Sequence, residues 1–95
     1  MGARRGLQQA MRAAGLPDEV LLDTPRVVLS GMDRLMLENH RGVIECARDV
    51  VRVRVEGGVL CVRGAELSLS HLRPGLLIVD GALEQVSFQR AEGRP

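Results

Sequence analysis

The chain has 95 residues, 45% apolar and 26% charged, with thirteen arginines, no lysine, two cysteines and a single aromatic side chain, Phe88. That length fits one domain, because a second core would need roughly 50 residues of its own. A formal charge of +1 excludes a strongly basic nucleic-acid binder on net charge, and the apolar content excludes a disordered chain.

Residues 3–15 predict a short amphipathic helix, with Leu7, Ala10, Met11 and Ala14 on one face, Gly15 as its C-cap and Pro17 just beyond. Under four turns long, it needs something to dock on. Arg4, Arg5 and Arg12 give it +3 with no acidic residue. Residues 16–25 form a connector with an apolar centre, Val20–Leu22, so 1–25 reads as helix and connector. From Arg26 to residue 90 the apolar period is two, which predicts a β domain, and 91–95 is a charged tail.

Within that domain the expected strands centre on Val27–Leu29, Leu35–Leu37, Val43–Ile44, Val51–Val55, Val59–Val62, Leu67–Leu69, Leu76–Val79 and Val86–Phe88. Gly57-Gly58 predicts a two-residue hairpin turn, and Arg73-Pro74-Gly75 a turn in which Pro fixes φ and Gly goes left-handed. Seven to eight short strands imply an all-β fold, read as an antiparallel β-sandwich. An internal echo, LCVRGAEL (60–67) against LIVDGALE (77–84), is offset by 17 and leaves a short β-solenoid of 17-residue units as the alternative. The alternation of Phe88 with Ser87 puts the ring in the core.

No stretch approaches the ~18 apolar residues of a membrane helix, and Arg4-Arg5 precede no secretory apolar run. Cys46 and Cys61 are too few for a disulfide scaffold, sit in apolar runs as small hydrophobes, and point to a reducing, cytoplasmic compartment. His40, Cys46, Cys61 and His71 lack the close pair of a structural zinc site, so no metal and no cofactor is expected. Arg52, Arg54 and Arg63 fall on a solvated hairpin face, in a ladder of cross-strand charge pairs with Arg48, Asp49, Glu56 and Glu66. Without aromatic stacking platforms, single-stranded nucleic acid is not an expected partner.

The densest polar cluster is Glu38-Asn39-His40-Arg41-Gly42. As acid–base machinery, Glu38 and His40 would share a strand face, yet no nucleophile or phosphate-binding loop accompanies them. As a structural turn, Asn39 and Gly42 would supply unusual φ while His40 and Arg41 satisfy exposed carbonyls. As an exposed loop, Glu38–Gly42 would meet a partner, together with Arg4, Arg5 and Arg12. An open sandwich also exposes edge strands that a partner or a second copy could extend.

Asp23-Thr24-Pro25, a first strand closed by Gly31, the Glu38–Gly42 block, the return Gly58-Val59-Leu60-Cys61-Val62-Arg63-Gly64 and the final Val86-Ser87-Phe88 together resemble the YabP/YqfC family of sporulation proteins, nearer its YqfC branch. The resemblance covers about residues 16–89. It implies an immunoglobulin-like sandwich and a non-enzymatic protein made in the mother cell. It further implies a co-encoded membrane partner of the YqfD-like type, with the protein cytoplasmic or peripheral to the membrane or forespore surface. No catalytic residue and no small-molecule substrate comes with it. The expected function is an interaction module. The alternatives are an enzyme built on Glu38 and His40, or a self-assembling component of the spore coat or cortex machinery.

Overall fold

The computed structural model describes residues 23–91. The helix expected at 3–15, with Arg4, Arg5 and Arg12, lies outside them. Among the described residues the fold is all-β and contains six strands: β1 (Arg26–Ser30), β2 (Arg34–Glu38), β3 (Val43–Cys46), β4 (Val50–Val55), β5 (Gly58–Arg73) and β6 (Leu76–Arg90). They form one antiparallel sheet in the order β1-β2-β6-β5-β4-β3.

The strand count is lower than the expected seven to eight because two strands are long. β5 runs unbroken through the expected strands at 59–62 and 67–69, and β6 through those at 76–79 and 86–88. Gly64 and Gly81, which look like turn residues in sequence, lie inside strands. The β5–β6 register steps between Arg63 and Gly64, between Ala65 and Ser68, and between Leu69 and His71. Such bulges bend a strand without ending it. The Pro74-Gly75 turn joins β5 to β6 as expected, with Gly75 at φ 79°. The β4–β5 turn is displaced by one residue from the expected Gly57-Gly58. It is Glu56-Gly57, since Gly58 already pairs with Val55 and with Arg90.

The two arms of the long hairpin are built alike. β2 pairs with the start of β6 (Arg34↔Asp80 to Glu38↔Leu76), and β4 pairs with the start of β5 (Val50↔Arg63 to Val55↔Gly58). Each outer hairpin then offers its turn carbonyls to a bulge. Met32 and Asp33 accept from the N–H groups of Leu83 (2.8 Å) and Gly81 (3.0 Å); Arg48 and Asp49 accept from those of Leu67 (2.8 Å) and Gly64 (3.1 Å). The backbone donors displaced by the bulges are thereby satisfied. Leu60, Val62 and Gly64 in β5 correspond to Leu77, Val79 and Gly81 in β6. The 17-residue echo is therefore a two-fold likeness between antiparallel arms. It is not the rung spacing of a solenoid, whose stacked units this sheet order does not contain.

Leu35 and Leu37 of β2, Val51, Val53 and Val55 of β4, Leu60, Val62 and Leu67 of β5, and Leu77 and Val79 of β6 form one buried cluster. Both arms thus curve toward a single core. Phe88 is not in it. The ring stands opposite Leu60 but is 61% exposed, because beyond Asp80 only β5 flanks β6 and no further strand carries the layer past it. Cys46 is exposed and Cys61 half-buried, both as free thiols.

On the face turned away from the core, Arg34 and Asp80 stand directly opposite each other. Arg34 Nε and Nη2 donate to the two Asp80 oxygens at 2.6 and 3.2 Å. The Arg34 hydrogen bond, helped by one from Ser70, holds the Asp80 carboxyl below the usual carboxylate range. A carboxyl lowered in the folded state stabilises above its unfolded pKa and loses that contribution as pH falls through the folded value. Asp80→Asn is accordingly expected to flatten the acid limb of a stability profile, below about pH 4, and to leave it unchanged near neutrality apart from the small surface-pair loss.

Candidate functional site

The block Glu38–Gly42 is the crossover from one arm of the fold to the other. β2 ends at Glu38, β3 begins at Val43, and the intervening residues cross the end of the β5–β6 hairpin. Asn39 takes φ 70° and Gly42 φ 120°, backbone that reverses the chain and that Asn and Gly tolerate best. The turn therefore breaks the pleat after Glu38. Glu38 and His40 do not share a strand face as an acid–base pair would require, and each is bonded elsewhere.

Glu38 is 7% exposed and Arg26 3%, with Arg26 Nε donating to Glu38 Oε1 at 3.0 Å. Asn39 fastens two segments: its backbone N–H donates to the Gly75 carbonyl (2.6 Å) and its side-chain Nδ2 to the Thr24 carbonyl (2.7 Å). His40 spans the corner. The Gly42 N–H reaches Nδ1 at 3.0 Å, so Nδ1 must accept, and the ring proton sits on Nε2, 2.9 Å from the Arg73 carbonyl. Arg41 closes the corner onto β4. Its backbone N–H donates to the Arg54 carbonyl (2.7 Å), the Arg54 N–H to the Gly42 carbonyl (2.8 Å), and its guanidinium meets Glu56 at 2.7 Å.

The five residues thus occupy one corner. Their polar groups mostly hold β1, β4 and the β5–β6 turn in register. His40 satisfies a carbonyl as the structural reading of the turn expects, while Arg41 pairs with a carboxylate instead. Of the five, Arg41 offers the most charge to the outside. A shallow depression lies over the corner, lined by Asp23, Asn39, His40, Arg41 and Gly75. Among the described residues no three His, Cys, Asp or Glu side chains converge as a metal-holding group. The Nε2–H tautomer is directly checkable: ¹⁵N shifts of His40 should report one protonated ring nitrogen, Nε2. His40→Phe should destabilise the fold by about 1–3 kcal/mol through the donors and acceptors left unmatched. A freely exchanging ring, or a neutral substitution, would contradict the bracing role.

The expected arginine face of the β4–β5 hairpin is present, with Arg52 near Glu45 (3.7 Å) and Arg48 near Glu66 (3.9 Å) as exposed pairs of small energetic worth. Two features were not read from the sequence. One is the Arg26–Glu38 pair, twelve residues apart and visible only once β1 lies on β2. The other is an exposed apolar rim where Leu29 (53% exposed) and Met32 (76%) meet Leu83 and Val86.

Comparison with known proteins completes the picture. A family model described as the YabP family matches residues 23–94. The chain is 27% identical over 90 residues to "Uncharacterized protein YqfC" of Bacillus subtilis (strain 168), covering 93% of this chain and 97% of that protein. No solved structure matches.

Proposed function

Since this chain belongs to the YabP family, as the match over residues 23–94 establishes, we propose that it is a non-enzymatic interaction module of spore formation. It acts in the mother cell and binds a co-encoded membrane protein of the YqfD-like type at the membrane or the forming spore surface. The observation that carries this reading is the open sheet. In the order β1-β2-β6-β5-β4-β3, the outer strands β1 and β3 each have one side without a strand neighbour. Unpaired strand edges accept an added strand.

β3 is the edge we favour. It follows the Glu38–Gly42 corner directly, three of its four residues are exposed, and Ile44, 39% exposed, comes three residues after Arg41, whose guanidinium is half exposed. The partner thus meets β3 and Arg41, while Glu38, Asn39, His40 and Gly42 keep that surface rigid. The arms curve about one core as the two layers of an immunoglobulin-like sandwich, and the amphipathic segment with Arg4, Arg5 and Arg12 lies nearest the lipid. Both nitrogens of His40 are occupied by backbone groups, which speaks for binding over catalysis. No helix among the described residues is long and apolar enough to cross a membrane, and the membrane partner supplies the anchorage in this reading.

Co-purification with the co-encoded membrane protein tests the proposal. Ile44→Lys and Arg41→Glu, both at exposed positions, should abolish recovery while leaving the circular dichroism unchanged. Undiminished recovery of both variants would remove β3 and the corner from the binding surface.

A further inference from the structure

β6 has two unlike halves. As far as Asp80 it is flanked by β2 on one side and β5 on the other. The Met32 carbonyl then takes the Leu83 N–H, and residues 85–90 pair with β5 alone. They form an open strand edge, without proline to block it. Its backbone alternates in direction. The Ala91 N–H donates to the Gly57 carbonyl at 2.8 Å, so Gln89, Ser87 and Gln85 also turn their N–H and C=O toward β5. Val86, Phe88 and Arg90 turn theirs to the open side. The side chains of Val86 and Phe88 stand on the core side, opposite Val62 and Leu60, and those of Gln85, Ser87 and Gln89 are exposed on the outer side.

We infer that this edge pairs with the same edge of a second copy of the chain, antiparallel about a two-fold axis at Ser87. In that register Val86 faces Phe88 of the second copy, Gln85 faces Gln89, and Glu84 faces Arg90. Apolar then meets apolar, amide meets amide, and opposite charges meet. The charges are the telling part. Glu84 is the extra residue of a bulge, between Gly64↔Leu83 and Arg63↔Gln85, and has no partner on β5. Neither Glu84 nor Arg90 enters an ion pair among the described residues. On one extended strand they stand about 20 Å apart, so a chain cannot pair them within itself, and an antiparallel copy can. A register centred on Val86 would set Glu84 against Phe88 instead. Phe88, 61% exposed in the single chain, gains a cover: it lies against Val86 of the other copy, which the exposed Leu29 and Met32 border. The outer edges of β1 and β3 stay free for the membrane partner, so the pairing stands apart from that reading.

Sedimentation of the full chain over a range of concentrations should show a monomer–dimer equilibrium. Glu84→Arg and Arg90→Glu, both at exposed positions, should each weaken the dimer by about tenfold or more, and the two together should restore it. In a Cys46→Ser/Cys61→Ser background, Ser87→Cys should close a disulfide between copies, because directly opposed residues of a non-hydrogen-bonded pair lie within disulfide reach. Gln89→Cys alone should not, and should cross-link only when mixed with Gln85→Cys. A chain that stays monomeric at the highest concentration would overturn the inference. So would a dimer indifferent to both charge reversals, or one joined in the unmodified chain through Cys46, which would place the contact on β3.

Discussion

Gly64→Ala is expected to cost about 3 kcal/mol, a large share of the 5–15 kcal/mol that holds a small domain together. Gly64 lies where the β5–β6 register first steps. A Cβ placed there would run into the Ala82 carbonyl oxygen, with the Ala82 carbonyl carbon at 3.0 Å and Leu67 Cδ2 at 3.2 Å. The obstacle is backbone of the paired strand. It can move aside only by breaking the hydrogen bonds that link the bulges to the outer turns, including Gly64 N–H to Asp49 and Gly81 N–H to Asp33. Gly57, with φ 90° and open space around its would-be Cβ, provides the comparison: alanine there should cost about 1 kcal/mol through backbone strain alone. The chain has no Trp or Tyr, so the urea midpoints would be read by far-UV circular dichroism. Equal midpoints for the two variants would mean that close approach of β5 and β6 at Gly64 does not set the bend.

The second large effect concerns the Arg26–Glu38 pair. Replacing Glu38 by Leu leaves the Arg26 charge buried without its carboxylate, and replacing Arg26 by Met takes away the buried guanidinium whose Nε donates to Glu38. Each single change is expected to destabilise by about 3–5 kcal/mol, whereas the double replacement should recover most of the loss, because an apolar pair carries no desolvation penalty. The non-additivity across the cycle is the signature. Simple addition of the two single effects would mean that the pair contributes no coupling and that each side chain matters only for its own packing.

Much of the fold was legible because it rests on local rules. The alternation of Val51, Val53 and Val55, and of Leu35 and Leu37, marks half-buried strands, and Pro74-Gly75 can hardly be anything but a turn. Asn39 and Gly42 announced positive φ at the corner, and His40 satisfying a carbonyl is the structural use of that turn. What escaped the sequence depends on distant pairing. Gly64 and Gly81 have the same local signature whether they end a strand or let two strands touch, and only the β5–β6 contact decides. The burial of Arg26 and Glu38 follows from laying β1 on β2, and an arginine beginning a strand gives no sign of it. Phe88 alternates like a core residue, yet it lies on the end of β6 that has outrun its β2 neighbour, which pattern alone does not encode. The 17-residue echo was visible, but antiparallel arms and stacked rungs leave the same trace in a single sequence.

Hydrogen exchange of the full chain, with and without the co-encoded membrane protein, addresses the proposed binding surface most directly. Protection should rise at the amides of Arg41 and of β3, Val43–Cys46, while those of β2 and the start of β6 stay unchanged. Complex formation with exchange in β3 unaltered, or with protection confined to the Leu29–Met32 rim, would contradict it.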